Sequence, residues 1–287
     1  MLKLKKLMAI CMSVAVMTTL YTSNVFAAGL PESRVADILD DTGFEKVSPG
    51  ENVGAGNTAA RLGMSEQEVL ALYEEYLSNT PVNLQANNGP AVIEGFAQYA
   101  VDKGVIEDTP QQRANIGKAA VRSSFKLVVN GGNLVGYKAA AALLDHSLQD
   151  NPSNLSYSGS TDVGKIVAAS SEYKQIVNEF RDYVSGAHLG SRTDSGSTTL
   201  NSTTDLHLAF NKVDYVARGN KNLTTGVWTL EVTFKDTYDF DHMAWSGVLS
   251  DQALVTIINN YADYAQEIGA IVPYDVKVVL TTTFTEN

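Results

Sequence analysis

Hydrophobic residues recur at helical spacing through much of the chain before residue 187. The clearest segment begins at Ser65, where Glu68 lies three residues later and completes the pattern of a capping box. The apolar face of this segment consists of Val69, Leu72, Tyr73, Tyr76 and Leu77. Similar segments run from Gly89 to Gly104, from Thr109 to an Asn130–Asn133 turn, over Leu134–Leu148 and over Asp162–Val184. The pattern therefore predicts a helical region over residues 61–186.

The periodicity changes after that region. Residues 187–204 are rich in Ser, Thr and Gly, and they predict a linker or a long surface loop. From residue 205 onward apolar and polar residues alternate, which is typical of strands with one solvated face. The alternating apolar residues are Leu206, Leu208 and Phe210, then Val213, Tyr215 and Ala217, then Trp228, Leu230, Val232 and Phe234. A helix over Ser250–Ile268 and a last strand over Pro273–Phe284 complete the predicted region.

Segregation of helices and strands along the chain predicts an α+β fold. Its N-terminal half is expected to be helical, and residues 205–287 are expected to form a small antiparallel, partly barrel-like sheet with one covering helix. Residues 29–60 contain Gly, Asp and Pro without a clear period, so they predict an irregular lead-in. The periodicity leaves open whether the two halves are separate domains or one fused body.

The first 28 residues have the composition of a secretory signal peptide. Three lysines precede a charge-free apolar run over Leu7–Leu20, and Val25–Ala27 supplies the small residues that a signal peptidase reads. The apolar run is shorter than the roughly 20 residues that a membrane span needs. We therefore expect cleavage after Ala27 or Ala28 and a secreted, extracellular product with no membrane span. The alternative is an N-terminal helix that is retained as an anchor.

Charge excludes two classes of partner. Loss of the three signal lysines would leave 18 basic and 32 acidic residues, which is a net charge of −14. Such a surface repels nucleic acid and anionic membranes, and it suits a basic protein as the partner rather than wall polymers, which are themselves anionic. Cleavage would also remove Cys11, the one cysteine, which gives a composition common among proteins secreted by Gram-positive bacteria. Neither charge nor periodicity predicts the oligomeric state.

The chain lacks the common catalytic signatures. It contains no Gly-x-Ser-x-Gly elbow, no His-Glu-x-x-His helix, no phosphate-binding glycine loop and no Cys/His metal pattern. Asp145, His146 and Ser147 are the residue types of a hydrolase triad, but adjacent residues of a helix point about 100° apart. We therefore interpret His146 as a helix-end histidine above a local carboxylate. His188 is expected to be exposed in the linker, and His207 is expected on the solvated face of a strand.

One segment concentrates proton-transfer groups. Residues 236–242, Asp-Thr-Tyr-Asp-Phe-Asp-His, follow the third predicted strand. If that strand continues, Asp236 and Tyr238 share one face and Asp239 lies on the other. Clustered carboxylates repel one another, so one can keep its proton near neutral pH and act with His242 in proton transfer. Carboxylate oxygens also suit a divalent cation such as Mg²⁺, with Asp236 and Asp239 as its ligands.

The Asp-Thr-Tyr-Asp string, placed at a strand end before a helix and a final strand, resembles the active-site motif of colicin M-type bacteriocins. Asp236 corresponds to the first aspartate of that motif, Tyr238 to its tyrosine and Asp239 to its second aspartate. The resemblance covers about residues 205–284 and implies hydrolysis, with magnesium, of the phosphate linkage of lipid II. The family's motif continues with a His-Arg pair that has no match here, because no arginine occurs after Arg218.

Two functions are consistent with these residues. We expect a secreted, toxin-like bacterial protein that acts by binding a protein or an envelope component, because the matching arginine is missing. In that case Tyr238 and Phe240 would pack into the core, and the aspartates would cap a turn. The alternative is a phosphodiester hydrolase that acts on lipid II. Its central carboxylate would be Asp239, its second carboxylate or metal ligand Asp236, its orienting hydroxyl Tyr238 and its base His242.

Overall fold

The computed structural model describes residues 29–51, 62–80, 89–186, 189–240 and 262–285. Its helices are α1 (Glu32–Leu39), α2 (Glu66–Asn79), α3 (Gly89–Asp102), α4 (Pro110–Val135), α5 (Lys138–Ser147), α6 (Asp162–Ala169), α7 (Ser171–Val184) and α8 (Thr204–Ala209). Its strands are β1 (Phe44–Lys46), β2 (Asn154–Ser158), β3 (Ser191–Thr199), β4 (Lys212–Lys221), β5 (Val227–Tyr238) and β6 (Tyr274–Thr285). Residues 262–267 are also helical. The predicted signal peptide, His188 and His242 lie outside the described residues.

The described strands form one open, mixed sheet with the order β1-β2-β6-β5-β4-β3. The neighbours from β6 to β3 are antiparallel, whereas β1 with β2 and β2 with β6 are parallel. The predicted α+β class is confirmed. The strands within residues 205–287 are antiparallel neighbours, as predicted, but the sheet is open rather than partly barrel-like, and two parallel strands extend it at one edge. Those two strands precede residue 187, so the predicted boundary at residue 205 divides a single sheet.

The alternation along β5 decides which side chains enter the core. The nearly inaccessible side chains are Trp228, Leu230, Val232 and Phe234, as the sequence predicts. Helix α7 packs on this face, where the Phe180 ring lies 6.0 Å from the Trp228 ring between centroids. Full burial of one such side chain contributes about 1.5–3 kcal/mol, so this face is a major source of stability. The buried residues of the helices and of the sheet belong to one hydrophobic cluster.

Helix ends are confirmed where the signal is a local cap. The N–H of Glu68 donates to Ser65 Oγ at 3.2 Å, and the N–H of Ser65 donates to the Glu68 carboxylate at 2.7 Å. Thr109 caps α4 in the predicted place. Gly104 and Gly269 both have a φ of 68°, the left-handed conformation that favours glycine after a helix. Among the described helices, none combines enough length with enough apolar character to cross a bilayer.

The predicted turn at residues 130–133 is wrong. Helix α4 continues through it to Val135 and stops at Gly136, whose φ is 93°. Gly132 does not break the helix, since its neighbours hold it in place. A Cβ at this position would make an ordinary contact at 3.6 Å with that of Ala141 on α5, so the packing here does not require a glycine.

The next two helices also differ from the prediction. Helix α5 begins at Lys138 rather than at Leu134. The predicted helix over Asp162–Val184 is two helices, because Ser170 ends α6 and its side chain accepts from the N–H of Tyr173 to begin α7. The sequence could not show this break, because a serine that ends one helix and caps the next looks like a serine in the middle of a helix. The helical spacing of apolar residues also continues across Ser170.

The Ser/Thr-rich segment 187–204 is not a linker, because it contains the edge strand β3. Hydroxyl-rich composition is typical of loops, but a partner strand can satisfy those groups. Ser197 Oγ donates to Asp214 Oδ1 on β4 at 2.6 Å. Composition alone therefore gave the wrong interpretation, since the stabilising contact comes from another strand.

The segment with alternating Leu206, Leu208 and Phe210 was predicted to be a strand, but it contains helix α8. Thr203 caps it by accepting from the N–H of Leu206 at 3.2 Å. Three alternating residues are too few to separate a period of two from a period of 3.6, and Leu208 is 47% exposed. His207 is exposed as expected, but on this helix.

The lead-in is regular over much of its described part. Helix α1 lies over the face of the sheet opposite to the Trp228 face, where Arg34 Nε donates to Asp214 Oδ2 at 2.7 Å. Lys235 Nζ donates to Asp37 Oδ1 on the same helix at 2.9 Å. These partners are 180 and 198 residues apart in sequence. Local periodicity could not predict a helix that long-range ion pairs hold in place.

Candidate functional site

The Asp-Thr-Tyr-Asp string lies at the end of β5 and in the residue after it. Tyr238 is a core residue with 6% of its surface exposed. Its ring centroid lies 5.4 Å from that of Phe240 and 5.7 Å from that of Tyr274. Burial raises the pKa of the Tyr238 hydroxyl, so that group stays protonated and shielded from solution. The two aromatic residues therefore have the positions expected of a structural corner.

Asp236 lies on the same side of β5 as Tyr238 and is half-buried. Its Oδ1 accepts from the N–H of Thr237 at 2.9 Å. Burial, reinforced by the negative charge of Asp239, raises the pKa of the Asp236 carboxyl to about 8. The carboxyl is therefore mostly protonated at neutral pH, which is the state expected of one member of a carboxylate cluster.

The nearest basic residue in sequence is turned away from Asp236. Lys235 lies on the opposite face of β5, where it binds Asp37 at 2.9 Å and Asp275 at 3.4 Å. Asp239 is exposed. Among the described residues, no group of three or more His, Cys, Asp or Glu residues is arranged to hold a metal ion. That part of the chain therefore provides no third ligand to a cation at Asp236 and Asp239.

Replacement of Asp236 by asparagine tests its protonation. A carboxyl with a pKa of about 8 when folded and about 3.9 when unfolded binds more protons in the folded state. The free energy of unfolding of the parent chain therefore falls as the pH rises from about 4 to about 8. We expect Asp236→Asn to gain about 1–2 kcal/mol on the parent between pH 5 and pH 8, allowing for partial exposure. Urea unfolding at both pH values measures the gain, and parallel pH profiles would contradict the raised pKa.

Residues 145–147 do not form a catalytic triad. His146 is buried, and its Nε2 lies 2.8 Å from the carbonyl oxygen of Ser153. Its Nδ1 lies 2.9 Å from the side-chain nitrogen of Gln149. The hydroxyl of Ser147 donates to a carbonyl of its own helix at 2.7 Å. Burial lowers the pKa of His146, so its ring is a neutral group that ties the end of α5 to the following segment.

A buried lysine pair lies on the far face of the sheet. Lys235 and Lys277 are cross-strand neighbours, and they are 7% and 0% exposed. Lys277 Nζ donates to the carbonyl of Asp40 and lies 4.2 Å from the centre of the Phe44 ring. Buried charges require partners, so the pair holds the α1–β1 segment on the sheet and is not an open site. The buried lysine pair was not predicted from the sequence, although the lysine among the apolar residues of each strand was an indication of it.

A cavity of about 470 Å³ lies where the parallel strands β1 and β2 end. The segment after β1 contributes Glu51, β2 contributes Tyr157 and the start of α6 contributes Asp162. Residues of α4 and α5, such as Asn130 and Lys138, complete the lining. Open α/β sheets bind ligands outside the carboxyl ends of their parallel strands, and this cavity has that position.

The cavity is apolar at its base and polar at its opening. Its buried aliphatic residues, here called the floor, are Val47, Val129, Ala141 and Val163. Its exposed polar residues, here called the rim, are Ser48, Glu51, Asn130, Asn133, Lys138 and Asp162. The wall also contains an ion pair between Lys126 and Asp145, whose charges offset each other. Small-molecule sites combine apolar surface with polar groups that orient the ligand, and this lining contains both.

Helix α5 is fixed in place at the end that reaches the cavity. The two carboxylate oxygens of Asp205 accept from the N–H groups of Ala139 at 3.0 Å and Ala140 at 2.8 Å. These N–H groups have no partner inside the helix, so Asp205 serves as a cap from α8. The contact sets the orientation of the first turn of α5 and hence the place of Lys138 on the rim.

Tyr157 is the least satisfied polar residue of the lining. It is 3% exposed, and its hydroxyl has no hydrogen-bond partner among the described residues. An unpaired buried group of this kind costs about 1–3 kcal/mol. Burial, reinforced by the charge of Glu51, raises the pKa of the hydroxyl, so it keeps its proton and can donate. Tyr157 could not be assigned to a site from the sequence, because the strand that carries it, β2, was not predicted.

No family model, curated protein or solved structure matches the chain. The resemblance of residues 236–239 to the colicin M-type motif therefore stays a prediction. Two places are left as candidates for function, the corner at the end of β5 and the cavity at the ends of β1 and β2. Of these, the cavity combines a concave surface with a lining residue whose hydroxyl has no partner among the described residues.

Proposed function

We propose that the protein is an exported binding protein whose ligand occupies the cavity at the ends of β1 and β2. The observation that carries this proposal is Tyr157, a residue of the cavity lining whose buried hydroxyl has no partner among the described residues. Ligand pockets measure about 300–1,000 Å³ and present few polar groups on an apolar lining. The cavity, at about 470 Å³, has a volume within that range.

Export and partner class rest on the sequence. Residues 1–28 have the composition of a secretory signal, and the chain beyond them has a net charge of −14. Outside the cell such a protein meets envelope components and other proteins, while nucleic acid is repelled. A ligand of the size of the cavity would be a free small molecule or an exposed end of an envelope component.

Binding is favoured over catalysis by the geometry of the β5 corner. Tyr238 is occupied in the aromatic core, and Lys235 is bound to carboxylates on the other face of the sheet. A phosphate-cleaving site needs cations and donors aimed at the reacting phosphate. Neither of these two side chains is available for that task.

A second candidate function is hydrolysis of lipid II, and the raised pKa of Asp236 is the observation that favours it. A carboxyl that is protonated near neutral pH can act as a general acid. The test is incubation of the purified protein with lipid II and Mg²⁺. The binding proposal expects no cleavage. Cleavage that is lost in Asp239→Ala and retained in a control at an exposed aspartate, Asp182→Ala, would establish the hydrolase instead.

Thermal melting tests the binding function itself. Three classes of envelope fragment serve as probes: short peptides, amino-sugar oligosaccharides and polyol phosphates. We expect at least one class to raise the melting temperature, because a ligand stabilises the folded state that binds it. Ala142→Phe, which adds a ring to the cavity lining, should reduce that rise, whereas Ala169→Phe on the exposed end of α6 should not. The absence of any rise, or an equal rise in both variants, would contradict the proposal.

A further inference from the structure

Resting on the proposed function, we infer that the cavity takes a short peptide with small side chains and free amino and carboxyl ends. The rim and the floor of the cavity differ in chemistry, and each restricts the ligand in its own way. The rim carries charges of both signs, and the floor consists of small aliphatic side chains. A molecule that matches both has opposite charges at its ends and little bulk between them.

The rim suits a zwitterion. Lys138, the exposed first residue of α5, can pair with a carboxylate. Glu51 is an exposed carboxylate that can pair with an ammonium group, whereas Asp162 already pairs with Lys165 at 3.2 Å. One oxygen of Glu51 already accepts from the N–H of Ser48 at 2.7 Å, so its position is restricted before a ligand binds. Neither an anion nor a cation alone would satisfy charges of both signs.

The floor suits methyl-sized side chains and not a sugar ring. Val47, Val129 and Ala141 present aliphatic groups and no hydrogen-bonding side chain. Stacking on a sugar ring needs an accessible aromatic face. Among the described lining residues, Tyr157 is the one aromatic side chain, and it is 3% exposed. Saccharides are therefore a poor match for this surface.

Tyr157 and the two asparagines of the rim suit a peptide backbone. The Tyr157 hydroxyl is inaccessible without ligand, so a small shift of the lining must expose it before it can donate to a peptide carbonyl or accept from a peptide N–H. Asn130 and Asn133 lie three residues apart on α4 and therefore on one side of that helix. Their amides offer the same donor and acceptor pairing. Because every peptide unit carries one donor and one acceptor, this set recognises backbone rather than a particular side chain.

Calorimetric titration with three probes tests the inference: trialanine with free ends, trialanine acetylated and amidated at its ends, and the N-acetylglucosamine disaccharide. We expect trialanine to bind, the blocked peptide to bind at least about tenfold more weakly and the disaccharide not to bind. Tyr157→Phe should weaken trialanine binding about tenfold, since one hydrogen bond is lost. The control Tyr183→Phe, at a tyrosine that is 57% exposed, should leave affinity unchanged.

Two further readouts separate recognition from a structural role. Without ligand, Tyr157→Phe should melt at the same or a higher temperature than the parent, because an unpaired buried hydroxyl is removed. Lys138→Gln should lower the affinity for trialanine about fivefold but leave that for its C-terminal amide unchanged, with Lys174→Gln as control. A Tyr157→Phe variant that melts lower and binds normally would overturn the inference.

The outcomes also distinguish this inference from the proposed function. Binding of the disaccharide but of neither peptide, with loss in Tyr157→Phe, would overturn the peptide class and leave the cavity as a binding site. Equal binding of free and blocked peptides would overturn the role of the rim charges. Failure of all three probes, together with no response to any envelope fragment, would overturn both.

Discussion

Replacement of Gly164 by alanine is expected to lower the free energy of unfolding by about 3 kcal/mol. Gly164 lies in the first turn of α6, directly against the end of β2. A Cβ at this position would overlap the backbone carbonyl of Ser158. A backbone group cannot move aside as the end of a flexible side chain can. The same carbonyl accepts from Thr161 Oγ1 at 2.7 Å, so a shift would also break the cap of α6. Urea unfolding at neutral pH measures the loss.

The matched control is Gly132→Ala in α4. Here the added Cβ would make ordinary contacts, the nearest at 3.6 Å to Ala141. Glycine inside a helix is less stable than alanine, so we expect a gain of about 0.5–1 kcal/mol. Two glycine-to-alanine changes in helices should thus have opposite signs. Similar losses in both variants would contradict the close approach at Gly164.

Replacement of Arg122 by methionine is expected to cost about 3–5 kcal/mol, because it breaks a buried ionic network. Arg122 is 6% exposed and lies on α4. Its guanidinium donates to the carbonyls of Ala270 at 2.8 Å and Gln149 at 3.0 Å. It also binds Asp150 Oδ1 at 2.8 Å. Methionine keeps most of the apolar volume and leaves these acceptors without the donor.

Arg113→Met is the control for this prediction. Arg113 lies on the same helix and binds Asp108 at 2.6 Å, but the aspartate side chain is 63% exposed. Exposed ion pairs contribute little to stability, so we expect a much smaller loss than at Arg122. The denaturant midpoints of the two variants compare their stabilities directly when the slopes of the two unfolding curves are equal. A loss at Arg113 as large as that at Arg122 would show that burial does not decide the effect.

Features of the fold that depend on contacts between near neighbours could be predicted from the sequence. The capping box at Ser65, the threonine cap at Thr109 and the glycine end at Gly104 each involve residues within one turn. The alternation along β5 also predicted its buried face. Each of these signals depends on chemistry between near neighbours, which the sequence displays without knowledge of the fold.

Prediction from the sequence failed where a residue's stabilising partner is distant along the chain. Helix α1 is held by Asp214 and Lys235, both far along the chain, and β3 depends on β4 for its hydrogen bonds. The parallel strands β1 and β2 are short, so their periods are too brief to read. The result is a sheet that begins within the predicted lead-in and helical region.

The two candidate sites differ in the same way. The carboxylate cluster at Asp236 is contiguous in sequence, and it could be identified from composition. The cavity draws Glu51, Tyr157 and Lys138 from three elements that meet only in the fold. A strand followed by the turn before Thr161 and a capped helix was the available signal, and it required β2 to be recognised first.

Binding of a small ligand beside Tyr157 is tested most directly by a crystal structure of the purified protein grown with trialanine in excess. The account expects the peptide in the cavity, with a backbone oxygen or nitrogen within about 3 Å of Tyr157 Oη. It also expects the peptide carboxylate on the side of Lys138. An ordered water as the sole partner of Tyr157, with the peptide elsewhere or absent, would contradict the account.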